Sequence, residues 1–310
     1  MAIKIAFVNN KGGSAKTTSL VNFAGALSLK FPDKKILMVD GDGQGNVSRT
    51  FGISSKKIST TIYDIFMGNS KAIDAVINAH ENIDLIPAND DMNYLEYDMM
   101  DLYNEKQKKD MFLFFKGLTM NGGVSDDVSF ETFSKFIPSD LSITKSYFDM
   151  LNGKFDSLDE QYDFILFDTP PEIKAVTSSI LGVSDYVIIP YEPDTYSLDG
   201  IINIVQRITK TTSSVNSGLR IAGLAPVKVK SNTKVHNAIM ENVIEYCEAK
   251  NINHFKSAIP ATVRFTQVVA VNALPNTLAE PTSKHSVAYV SLAEEALAFI
   301  EKDRKERGIE

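Results

Sequence analysis

The stretch Asn9-Asn10-Lys11-Gly12-Gly13-Ser14-Ala15-Lys16-Thr17-Thr18 decides the fold. It is entered from the apolar run Ile3–Val8 and left through Leu20, Phe23, Ala24 and Leu27 at helical spacing. A glycine-rich turn at the foot of a helix presents backbone N–H groups to an anion, and the helix dipole favours negative charge at the same place. Lys16 adds a point cation suited to β- and γ-phosphates, and Thr17 supplies a hydroxyl of the kind that ligates Mg²⁺. The segment therefore reads as a phosphate-binding loop, although the strict pattern has glycine where this chain has Asn10 and Ala15.

Two later segments carry matching chemistry. Lys35–Val39 leads into Asp40-Gly41-Asp42-Gly43-Gln44-Gly45-Asn46, and Phe164–Phe167 leads into Asp168-Thr169-Pro170-Pro171. A carboxylate closing an apolar strand beside bound phosphate holds Mg²⁺, directly or through water, and a second one positions the attacking water. Each Asp alone reads equally well as a turn or N-cap residue. Three of them near one phosphate loop read as a site.

Candidate strands Ile3–Val8, Lys35–Val39, Ile83–Ile86, Phe164–Phe167, Tyr186–Pro190 and Arg220–Leu224 alternate with segments of helical period. That alternation predicts an α/β, doubly wound, mostly parallel twisted sheet flanked by helices, whose ligands bind beyond the carboxyl ends of the strands. The stretch from Ile86 to Phe164 is too long for an ordinary connection. Its helical-looking pieces, Met92–Lys109 and Thr144–Phe155, flank the turn-rich Asn121–Asp127, and Phe112-Leu113-Phe114-Phe115 reads as local core. Residues 90–160 are thus expected to form an acidic, mainly helical insertion within a single domain of residues 1–310; positions 81–163 hold 18 acidic against 7 basic side chains.

Composition narrows the function. The 310 residues include 39 acidic and 32 basic side chains, one cysteine and no tryptophan, with 44% hydrophobic residues, which is a globular composition. A lone Cys247 forms no internal disulfide and no cysteine-ligated cluster, and His80, His236, His254 and His285 lack metal-ligand spacing. No signal peptide or membrane span is evident, so the protein is expected to be cytoplasmic. Between Arg220 and Arg264 lie Lys228, Lys230, Lys234, Lys250 and Lys256 against three glutamates, a pattern compatible with a local basic face.

Lys11-Gly12-Gly13-Ser14-Ala15-Lys16-Thr17-Thr18 resembles the deviant Walker A motif, with its extra early lysine, of the ParA/MinD class of P-loop ATPases. Asp40–Asn46 is similar to the ParA form Asp-x-Asp-Pro-Gln-Gly-Asn, and Asp163–Pro171 to its Walker B. Tyr196-Ser197-Leu198-Asp199-Gly200 is similar to its Leu-Glu-Gly segment, and Ala258-Ile259-Pro260-Ala261-Thr262-Val263-Arg264 to its Ile-Pro-x-x-Val-Arg segment. The likeness spans residues 1–90 and 160–300 and leaves the acidic stretch outside. It implies a weak Mg²⁺-dependent ATPase, with ATP and ADP as ligands, stimulated by a partner protein. Gly12, Gly13, Ser14 and Ala15 would line the phosphates with Thr18, Lys16 would bind the β- and γ-phosphates, and Thr17 would ligate Mg²⁺. Lys11 would reach the ATP of a second subunit, so that nucleotide makes a homodimer. Asp42 would orient water, Asp40 would support lysine and metal, and Asp168 would hold Mg²⁺ through water. Arg264, with Lys228, Lys230 and Lys234, would bind DNA without sequence preference.

The resemblance thus implies a nucleoid-associated DNA partition (segregation) ATPase, of plasmid or chromosome, released from DNA by hydrolysis that a ParB-like centromere-binding protein stimulates. The acidic stretch is a candidate dock for a basic arm of that partner. Ala15 departs from a family glycine and Gly43 from a proline, which opens a second reading, a nucleotide switch with negligible turnover. A third is a MinD-like membrane-associated positioning ATPase, which needs an amphipathic helix at Ser291–Arg307; the dense mixed charge there speaks against it. The chain begins at its first strand, so an N-terminal operator-binding domain is not expected. The loops near Ala225-Pro226 and Pro260 are candidates to contact adenine.

Overall fold

The computed structural model describes residues 1–54, 58–102, 150–172, 174–230 and 234–309. Seven strands form one sheet: β1 (Ile3–Phe7), β2 (Ile36–Asp40), β3 (Ile77–His80), β4 (Ile83–Ile86), β5 (Phe164–Asp168), β6 (Tyr186–Tyr191) and β7 (Arg220–Pro226), in the order β3-β4-β2-β5-β1-β6-β7. All neighbours are parallel except β3, which runs antiparallel to β4. From β1 the chain crosses β5 to reach β2, and from β5 it crosses β1 to reach β6. Adjacent strands whose connections leave in opposite directions open a crevice at their carboxyl ends, where ligands of such sheets bind. The register aligns Phe7 with Asp168 and Asp168 with Asp40, so the strand ends seen in sequence meet at that crevice.

The central strands are mainly apolar, as strands covered on both faces are, apart from Lys4 in β1 and the aspartates that end β2 and β5. Alternate side chains divide between two cores. Ile5, Phe7, Met38, Leu166 and Ile188 pack under α1 (Lys16–Lys30) and the C-terminal helix Lys284–Glu306, whereas Ala6, Val8, Val39, Phe167 and Ile189 face the opposite layer, which includes the helices Ala175–Val183 and Ser197–Ser214. The C-terminal helix starts at Ser283, whose hydroxyl accepts the Ser286 N–H at 3.2 Å, and it buries Tyr289, Leu292, Ala293, Ala296, Leu297 and Ile300.

All six strands read from the sequence form, and β3 is added to them. This edge strand escapes the apolar signal because it is half-exposed and carries Asn78 and His80. The described flanks of the expected insertion at 90–160 belong to the main core. Met92 and Leu95 on one flank, and Leu151, Phe155, Leu158 and Tyr162 on the other, are buried in the main core. Residues 95–102 are helical, whereas residues 150–155 of the segment read as helix are turns. Phe112–Phe115, Asn121–Asp127 and the rest of 103–149 lie outside the described residues. The apolar side of Ser291–Arg307, which the membrane reading requires, faces the core beside α1. Among the described residues no helix is long and apolar enough to cross a membrane.

Candidate functional site

The loop from β1 to α1 is shaped by two left-handed residues, Gly13 at φ 73° and Ala15 at φ 61°. Ala15 is the N-cap of α1, and it offers no side-chain cap; the first turn carries no acidic residue either. The positive end of the helix dipole is therefore left for an external anion. Lys16 is 7% exposed. Burial pushes its ammonium below the ordinary lysine range, with Asp168 and Asp42 acting in the opposite direction.

Opposite the loop stand the carboxylates. The Thr17 hydroxyl donates to Asp168 Oδ2 at 2.5 Å, and Asp168 Oδ1 is buried without a partner among the described residues. Burial pushes the Asp168 carboxyl up to about 7, against the Thr17 hydrogen bond and the Lys16 charge. Asp40 is fully buried, and burial together with the Asp168 charge holds it well above the usual carboxylate range. Both its oxygens accept backbone N–H groups at 3.1 Å, Oδ1 from Asp42 and Oδ2 from Val47. Asp40 thus fixes the turn that carries Asp42, rather than presenting a free oxygen to lysine or metal. Asp42 is partly exposed at the crevice and accepts the Gln44 N–H at 3.0 Å.

The glycines between them are there for space. A Cβ on Gly41 would lie 2.6 Å from the Asp168 carbonyl, and one on Gly43 would lie 3.2 Å from the Asn89 carbonyl and 3.3 Å from Met92. Gly43, where the family has proline, therefore answers a close approach by the 89–93 segment.

The lysines divide differently from the sequence expectation. Lys11 is ion-paired with Asp194 of its own chain, and its N–H donates to Asn9 Oδ1 at 2.9 Å. Burial works to raise Asp194, but the hydrogen bonds from Lys11, Ser197 and Tyr196 outweigh it and hold the carboxyl below its ordinary range. Lys228, expected on a DNA surface, turns to the phosphate loop instead: its Nζ donates to the Gly13 carbonyl at 2.5 Å and lies 3.5 Å from Glu192. Arg264 opens the helix Arg264–Asn272 with both guanidinium contacts on Glu280, one of them Nε to Oε2 at 3.1 Å. Lys230 is exposed, its N–H donating to His236 Nδ1 at 3.2 Å, and Lys234 begins the helix Lys234–Lys250, its side chain outside the described residues. Lys228 and Arg264, both expected to bind DNA, thus each lie beside a carboxylate. The adenine candidates do come together, with the Ile259 N–H donating to the Pro226 carbonyl at 2.9 Å.

Sequence reasoning passed over Glu192 and Asp194. The signal was present: two carboxylates flank Pro193 directly after an apolar strand, at the edge of the sheet where the other site residues lie.

A glycine-rich loop between β1 and a helix, a buried lysine at its end, a threonine on a strand-end aspartate and an early second lysine define a P-loop ATPase of the deviant Walker type. The family model described as an AAA domain matches residues 2–116 and 134–221. The chain is 30% identical over 308 residues to a ParA family protein of Mycoplasma pneumoniae, covering 96% of this chain and 97% of that one. It is 26% identical over 300 residues to the chromosome-partitioning ATPase Soj of Treponema pallidum, covering 96% and 98%. The crystal structure of cobyrinic acid a,c-diamide synthase from Mycobacterium smegmatis with bound ATP analogue and magnesium shares the fold, with a TM-score of 0.70, 21% identity and 98% of each chain covered. This chain belongs to the ParA family, as a ParA/Soj-like ATPase. The match corrects one expectation: the likeness extends into the acidic stretch and leaves only residues 117–133 of it unmatched.

Proposed function

We propose that the chain is an ATP-dependent DNA partition ATPase whose ATP-bound dimer binds DNA without sequence preference and is released when a ParB-like partner stimulates weak intrinsic hydrolysis. The observation that carries the reading is the convergence of Lys16, Thr17, Asp42 and Asp168 on the crevice between β1 and β5. The orphaned, buried Asp168 Oδ1 beside the Thr17 hydroxyl suits a hard divalent cation, which takes oxygen ligands. Thr17, and Asp168 through water, would hold Mg²⁺, which would supply charge neutralisation to the phosphates. Gly12, Gly13, Ser14, Ala15 and Thr18 enclose the polyphosphate beside the free end of α1. Lys16, buried beside it, binds the β- and γ-phosphates with a charge that little water screens. Asp42 orients water, and Asp40 keeps Asp42 in place through the 42–47 turn.

Lys11 leaves Asp194 to reach the ATP of a second subunit, which makes nucleotide binding and dimerisation one event. Arg264, Lys228, Lys230 and Lys234 were the sequence candidates for DNA. We assign the DNA face in the dimer to Lys230, Lys234 and Arg264, with Arg264 recruited from its surface ion pair, and Lys228 to the phosphate loop. We place the protein in the cytoplasm, on the nucleoid.

The test is binding to non-specific duplex DNA with ATP, with ADP and without nucleotide, over a salt series, for wild type and Lys11→Ala. ATP-dependent binding that weakens steeply with salt and is lost in the variant is the expected result. Absence of DNA binding in every state while ATP still drives dimerisation overturns the DNA role and leaves a protein-scaffold switch.

A further inference from the structure

We infer that Lys228 is a third phosphate-binding lysine of the nucleotide site, positioned there by its contacts with the Gly13 carbonyl and Glu192. The inference rests on the nucleotide-site reading above and adds a residue that the motifs do not contain. Four observations meet at this side chain. Lys228 follows the end of β7 by two residues, two strands away from β1, and its side chain reaches the phosphate loop from there. Its backbone is left-handed at φ 53°, a conformation that non-glycine residues seldom adopt and that collects at binding sites. The Val227 N–H donates to the Tyr191 carbonyl at 2.8 Å, which keeps the chain beside β6 up to the bend. Past the bend the ammonium lies on the Gly13 carbonyl at 2.5 Å, within the loop that ends in Lys16.

The partners explain how such a lysine works. An ammonium has three donors. Here one is on Gly13, and Glu192 at 3.5 Å is an ion-pair neighbour beyond good hydrogen-bond distance. A polyphosphate in the loop brings several anionic oxygens near this cation and competes with a single, partly exposed carboxylate. Glu192 and Asp194 together play matching parts: two acids on one short segment after β6 neutralise the two outer lysines of the site, Lys228 and Lys11. A phosphate site is a concentration of positive charge, which these two acids offset and for which a polyphosphate would compete.

A lysine that merely tethers the loop and one that binds phosphate differ in how their loss depends on phosphate number. Affinities for ATP, ADP and AMP, with Mg²⁺, are measured by calorimetry for wild type, Lys228→Met, Lys228→Arg, Glu192→Gln and the Glu192→Gln, Lys228→Met double variant, with thermal melting as the check on folding. The expected result is a loss of about tenfold for ATP in Lys228→Met, less for ADP and little for AMP, with partial recovery in Lys228→Arg. Glu192→Gln is expected to tighten ATP binding about threefold, and the gain is expected to vanish in the double variant. An equal loss for all three nucleotides, no loss, or a Glu192→Gln gain that survives without Lys228 overturns the assignment. Failure of the wild-type chain to bind any nucleotide overturns the nucleotide-site reading itself, and the assignment with it.

Discussion

Ala15 shows how a single Cβ tunes a site. Its left-handed φ of 61° is the conformation for which the family uses glycine, and an L-residue with a Cβ is disfavoured there by about 1–2 kcal/mol. Part of that disfavour is offset because alanine has less freedom than glycine to lose on folding. Ala15→Gly is therefore expected to stabilise the nucleotide-free chain by about 0.5–1 kcal/mol in denaturant unfolding, and to tighten ATP binding in calorimetry. Unchanged or lower stability would show that the loop is relaxed around the methyl group.

Asp168 carries a different kind of strain, that of a buried carboxylate. Its folded pKa of about 7 lies above the ordinary 3.8, because burial penalises the carboxylate. The sign follows: folding favours the protonated form, so the contribution of this one group is greatest at low pH and is lost as pH rises from about 4 through about 7. Asp168→Asn removes that decline. With neither nucleotide nor divalent cation present, the variant is expected to melt on the order of 5 °C above wild type at pH 8, with the difference fading at pH 5. An equal difference at both pH values would mean that the carboxylate charge is not what destabilises the chain.

At the scale of elements, the C-terminal helix Lys284–Glu306 is the clearest case of packing overriding a pattern. From sequence, Leu292, Leu297, Phe299 and Ile300 are the apolar residues a membrane-surface helix would use, with the dense mixed charge speaking against that reading. In the fold, Leu292 and Ile300 are fully buried beside α1, the helix that starts at the phosphate loop, and the Tyr289 hydroxyl lies 3.3 Å from Ser19 Oγ. Leu292→Ala is expected to lower stability by about 2–5 kcal/mol in urea unfolding, as core truncations do. In sedimentation with anionic liposomes and ATP the wild-type chain is expected to remain in the supernatant. Co-sedimentation would mean that this helix leaves the core, and would favour the membrane reading.

Across the whole molecule the sheet order sets the ranking of local stability. β5 and β1 lie inside the sheet with both faces covered, whereas β3 is an antiparallel edge strand with a register shift between Asn78 and His80. Amide exchange is expected to be fastest in Ile77–His80 and slowest in Phe164–Asp168 and Ile3–Phe7, since edge strands open at lower free energy than covered ones. Comparable protection of β3 and β5 would mean that the sheet opens as one unit.

Much of this was legible from local pattern. The strand, glycine turn and helix of residues 3–27, the carboxylates ending β2 and β5, and the six apolar strands depend on side-chain order along the chain, which fixes φ/ψ preference, periodicity and backbone N–H exposure over a few residues. What local order does not carry is which distant groups share space. That Lys228 lies on Gly13 and not on an outer face, that Lys11 is held by Asp194, that Arg264 is held by Glu280, and that both oxygens of Asp40 are taken by the turn bearing Asp42 follow from the strand order and the crossovers. Only the assembled sheet brings residues 13, 192 and 228 within a few ångströms, because electrostatic and hydrogen-bond partners are chosen by distance in space, to which separation along the chain is no guide.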